Sequence, residues 1–112
     1  MDNAEASGNR EELIGELNRN YDLELAPRLS ASELEELLAE KLNRLIRSDF
    51  NTLVTILYRV DVNEARLKEM LRINAGEDAG MIMARLIIER QEQKIRTRKA
   101  SGKAPDGSAW KD

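Results

Sequence analysis

Cysteine and histidine are both missing from the 112 residues. The first absence excludes disulfides, thiolate metal sites and thiol nucleophiles. The second removes the commonest general base near neutral pH and the commonest transition-metal ligand. Aromatic residues make up only 4% of the chain, too few for a dense β-sandwich core. No apolar run approaches the roughly 20 residues of a membrane span. The start, Met1 to Glu12, is acidic and polar, the opposite of a secretory leader. The expectation is a soluble, cytoplasmic protein with no membrane partner.

What remains is a helical composition. There are 34 large apolar residues, and 35% of the chain is charged, enough for one small domain with a narrow stability margin. The net charge of −3 conceals a polarity along the chain. Residues 1–40 carry a net −8, residues 41–77 a net +2 and residues 78–112 a net +3. An acidic front and a basic back are explained most simply if the two lie close together, within one chain or between two copies.

Hydrophobic spacing divides the chain into three parts. Residues 1–31 read as an acidic extension with a disordered start, one short helix from Asn9 through Leu13, Ile14, Leu17 and Tyr21, and a linker around Pro27. Residues 32–99 read as the helical core domain. It opens on a capping box of Ser32 and Glu35, followed by an apolar stripe from Leu34 to Ile46 that Phe50, Leu53, Val54 and Leu57 continue. Ser48 or Asp49 is placed to cap a new helix, which leaves one rod or two open. Residues 53–62 alternate like a strand, yet have no second strand to pair with, so helix is preferred. Asp61 and Glu64 form a second capping box, for a helix that Gly76 closes in a left-handed conformation. Asp78 caps the last helix. Its Met81–Ile88 half is apolar on nearly every side and belongs in the core or an interface, while its charged half, Glu89–Lys99, is expected to project. Residues 100–112 read as a flexible tail. The fold class is all-α, a small bundle of four to five helices with a long, partly projecting C-terminal helix.

The string SDFNTLVTILYRVDVNEARL (Ser48–Leu67), followed by MARLIIERQEQKIRTR (Met83–Arg98), resembles a group of short bacterial proteins of unknown function. These share an aspartate–phenylalanine start, a tyrosine–arginine pair before a DV.E box, and a closing IIxRQxQKIxTR helix. The likeness covers roughly residues 40–98. It implies a compact helical fold and brings no activity, substrate or catalytic residue.

Three constellations remain. Glu33, Glu35, Glu36 and Glu40 lie opposite the apolar stripe and read as a solvated face. Tyr58, Arg59, Asp61, Asn63 and Glu64 crowd one helix junction, where Arg59 is either a recognition anchor or the partner of an acid such as Glu89. Arg90, Lys94 and Arg98 share one helical face within the chain's only basic concentration, which also includes Arg96, Lys99 and Lys103. That face suits an acidic protein, a phosphate backbone, or intramolecular pairing. No glycine-rich phosphate loop, metal-ligand set or catalytic arrangement accompanies them. The leading expectation is a non-catalytic interaction or adaptor module without cofactor, binding a protein partner or a second copy through Arg59 or through Arg90, Lys94 and Arg98. The second reading is weak nucleic-acid binding by the same basic helix.

Overall fold

The computed structural model describes the backbone of residues 3–101 and the side chains of residues 9–100. Five helices follow in order: α1 (Asn3–Tyr21), α2 (Ala31–Ser48), α3 (Phe50–Val60), α4 (Glu64–Ile73) and α5 (Ala79–Ser101). There is no strand among the described residues. No described helix is long and apolar enough to cross a membrane. Of the tail expected at residues 100–112, residues 100 and 101 still belong to the last helix, and 102–112, including Lys103, lie outside the described residues, as do Met1 and Asp2.

α2 and α5 form the central pair. Leu34, Leu38 and Leu42 of α2 recur at spacings of four and are buried together with Met83, Ala84 and Ile87 of α5. The two backbones approach closely where α5 begins. A Cβ on Gly80 would lie 2.5 Å from the Ala39 carbonyl oxygen and 2.6 Å from the Asn43 side chain. The Gly80 amide instead donates to Asn43 Oδ1 at 3.1 Å and to Asp78 Oδ1 at 2.9 Å. Asp78 thus caps α5 as expected, and a 2.6 Å bond from Asn43 Nδ2 ties the cap to α2. That bond is the main reason the Asp78 carboxyl is held below its ordinary pKa.

Several helix ends differ from the sequence expectation. α1 begins at Asn3 rather than at Asn9, because Ala4, Glu5 and Ala6 are strong helix formers. The capping box of α2 is Ser30 and Glu33, not Ser32 and Glu35: Glu33 N donates to Ser30 Oγ at 3.1 Å and Ser30 N to Glu33 Oε1 at 2.9 Å. Both S-x-x-E matches are chemically competent. Only the earlier one sets apolar Leu29 and Leu34 at the staple positions either side of the cap, where both pack on the core. Asp61 does not cap α4. It ends α3 in the left-handed region (φ 69°) with its amide bonded to Leu57 and Tyr58 carbonyls, a conformation that aspartate tolerates. Asn63 caps α4 instead, accepting from Arg66 N at 2.8 Å. Gly76 has no positive φ, and α4 stops at Asn74, whose amide reaches the Met70 carbonyl.

Asp49 breaks the long amphipathic stretch into two helices. Its amide closes α2 on the Leu45 carbonyl at 2.8 Å, while its carboxylate accepts from Thr52 N at 3.2 Å and Thr52 Oγ1 at 2.6 Å to open α3. The segment at 53–60 is helical, and its core side is Leu53, Ile56 and Val60.

α1 and the linker belong to the same core. Leu13, Ile14, Leu17, Leu23 and Leu25 are all buried with the α2–α5 residues, so the division expected at residue 31 does not divide the core. The linker is folded back by Asn18, which holds both the amide and the carbonyl of Leu25, at 2.7 and 2.9 Å. The charged half of α5 is not a free arm. Residues 96–100 are exposed, but Gln91 and Ile95 are buried beside α1.

Gly15 of α1 and Gly80 of α5 separate helix propensity from close packing. Gly80→Ala should lower stability by about 1–3 kcal/mol through overpacking, and the melting temperature by about 5–15 °C. Gly15→Ala, whose Cβ would meet only the flexible end of Arg19 at 3.4 Å, should raise stability by about 1 kcal/mol. Thermal melts followed by circular dichroism check both signs.

Candidate functional site

The basic face of α5 is reached first through its partners. Arg90 donates to the Asp61 carboxylate at 3.1 Å and to the Asp61 carbonyl at 3.2 Å, which fixes the left-handed turn after α3. Lys94 reaches the Arg59 carbonyl at 3.3 Å, at the last turn of α3. Burial, with the neighbouring Arg90 charge, lowers the Lys94 pKa. Arg98 pairs with Glu16 and, at 3.4 Å, with Glu12 of α1. Lys99 adds Glu12 at 3.2 Å and Asn9 at 2.6 Å. Glu16 also accepts from Gln91 at 2.7 Å. The acidic front therefore lies against the basic back within one chain, and Arg90, Lys94 and Arg98 each serve a different internal contact.

The Arg59 junction is arranged differently from the pairing expected. Glu89 pairs with Arg66 at 3.1 Å, not with Arg59. Arg59 is exposed, and among the described residues no ion pair includes it. Between the α3–α4 turn and α5 lies a cleft of about 300 Å³ that contains Arg66, Glu89, Arg90 and Asp61. Its two arginines are already matched by its two acids, so the cleft presents no unbalanced charge to a ligand. The acidic side of α2 is likewise solvated or paired, Glu35 with Arg85 and Glu40 with Arg44.

The strongest departure from an ordinary surface lies on α3 and α4. A helix with apolar residues on most sides needs neighbours on most sides. α3 has a full core face in Leu53, Ile56 and Val60, yet Phe50, Val54 and Tyr58 form a second stripe at spacings of four on another face. These three are 58%, 46% and 85% exposed. α4 has no buried residue at all among its ten. From their junction at Asp61–Asn63 the two helices stand apart, their backbones scarcely approaching within 8 Å. The space between them is a groove of about 320 Å³ walled by Val54, Leu57 and Tyr58 on α3 and by Leu67 and Leu71 on α4, with Val62 at its closed end. Glu64 and Lys68 stand on its rim, 3.4 Å apart. Scattered apolar residues are normal on a surface, whereas a contiguous patch with a polar rim marks an interaction site.

Phe50 and Val54 continue the stripe of α2 in the sequence, yet both face outward in the structure. The break resets the helical phase. The readable signal was the excess of apolar residues in an eleven-residue helix, more than one face can hold.

Comparison with protein-family models, with curated proteins and with solved structures finds no match to this chain.

The α1–α5 charge network has a pH signature. Hydrogen bonding from Lys99, reinforced by its charge and by Arg98, holds the Glu12 carboxyl below its ordinary value of 4.5 against an opposing effect of burial. A carboxylate whose pKa is lower in the folded chain stabilises the fold above its unfolded pKa and loses that contribution as pH falls through the folded value. Glu12→Gln should therefore be less stable than the parent at pH 7. The gap should narrow as the pH drops below about 4.5 and vanish once the pH is below the lowered folded value. Urea melts of the two proteins across the acid range measure it.

Proposed function

We propose that this chain is a non-catalytic protein-interaction module that receives an amphipathic helix in the groove between α3 and α4. The single observation that carries this reading is the pair of apolar walls left without a partner among the described residues, with Tyr58 85% exposed at one edge. A cleft between two helices, apolar at its floor and charged at its rim, matches helix-in-groove recognition, in which residues at spacings of three and four supply the anchors. Tyrosine suits the edge of such a site because its ring buries a large area while its hydroxyl stays wet.

Of the binding residues expected from the sequence, Arg59 lies outside the groove lining, its charge near Tyr21 of α1. Arg90 and Lys94 hold the α3–α4 turn from behind, and Arg98 anchors α1. The internal partners of Arg90, Lys94 and Arg98 favour this reading over nucleic-acid binding by the same basic helix.

A photo-cross-linking phenylalanine analogue at position 58, with a control at the exposed Arg19, tests the reading in cells. Adducts of discrete mass should form from position 58, disappear on Val54→Lys, and be absent from position 19. The captured peptide should carry apolar residues at helical spacing. Absence of any adduct from position 58 would remove the proposal.

A further inference from the structure

We infer that the occupant of the α3–α4 groove is a second copy of this chain, related to the first by a two-fold axis; this rests on the interaction-module reading above. The face carries both halves of a self-complementary contact. Phe50, Val54 and Tyr58 stand out as knobs, and Leu57, Leu67 and Leu71 line the hollow beside them. An isologous interface requires that one surface supply both shapes, since each copy must give what it receives.

The rim has the same property in its charges. Glu64 and Lys68 are one helical turn apart along the groove. A two-fold axis passing between them sets each beside the opposite charge of the other copy, so a single pair of residues fixes register without a foreign partner. A rim of one sign would have pointed to a partner of the other sign.

The area also fits. Phe50 and Tyr58, at 58% and 85% exposed, present on the order of 300 Å² to solvent between them. With Val54 and the half-buried leucines the apolar part is on the order of 500 Å², as large as the largest patch on a typical monomer. A stable dimer of standard size covers about 800 Å² per copy, of which this apolar centre would form the larger part.

Light scattering coupled to size exclusion should give the 112-residue chain twice its monomer mass at tens of micromolar. Val54→Lys with Tyr58→Lys, both at exposed positions, should give the monomer mass with unchanged helicity. The rim supplies an independent check. Glu64→Lys and Lys68→Glu should each dimerise about ten-fold more weakly alone, and an equimolar mixture should recover the parent affinity. A parent that stays monomeric at the highest concentration, or variants that fail to rescue one another, would overturn the two-fold arrangement. The cross-link from position 58 separates this failure from that of the module itself. An adduct of twice the chain mass supports the second copy. An adduct of another mass, or an internal cross-link to residues 102–112, refutes it, and the former leaves the interaction module standing. No adduct refutes both.

Discussion

The packing of α2 against α5 is the constraint on which the rest of the molecule depends. Leu34, Leu38 and Leu42 meet Met83, Ala84 and Ile87 along that seam, and the backbones come close because residue 80 has no side chain. Every other helix is placed by reference to this pair. α1 lies on the far half of α5, α3 follows α2 after a one-residue break, and α4 rests on α5 from the other side. Apolar burial supplies the driving force. The polar ties at its ends, Asn43 to Asp78 and Gly80, select the register.

Charge does a different job from burial here. Glu12 and Glu16 are separated from Arg98 by more than eighty residues, yet they meet in space. Surface ion pairs individually contribute little, but this group surrounds the buried Gln91 and Ile95 and so determines which side of α5 α1 may cover. The segregation of charge along the chain is thereby spent inside it. Among the described residues, Arg90, Lys94 and Arg98 are all engaged in contacts within the chain.

The helical class, the central place of Met81–Ile88, the Asp78 cap and the closeness of the two charged ends were all legible from residue spacing. Those features depend on local chemistry or on gross charge. Competition between equivalent local signals was not legible. Ser30 and Ser32 offer the same box, and the choice falls to Leu29, which packs only once α2 has met the core. Asp61 and Asn63 both suit a helix start, and the choice falls to Arg90, which arrives from a distant helix. The groove was hidden for a related reason. An apolar side chain looks the same in sequence whether its intended neighbour is in the same chain or elsewhere, and only the placement of α5 reveals that Phe50, Val54 and Tyr58 have been left facing outward.

Lys99 near the end of α5 touches Asn9 in the first half of α1, at 2.6 Å. The body between them is thus a closed excursion that leaves and returns at almost the same point in space. Domains of this kind can be spliced into a turn of a host protein, since the host need open by little more than the width of two adjacent helices to admit one. The same geometry makes the unit permutable in principle: a short bridge across residues 9 and 99 would keep the buried Leu13, Ile14 and Leu17 of α1 in place, while a new opening in the exposed turn at 75–77 would cross no core residue.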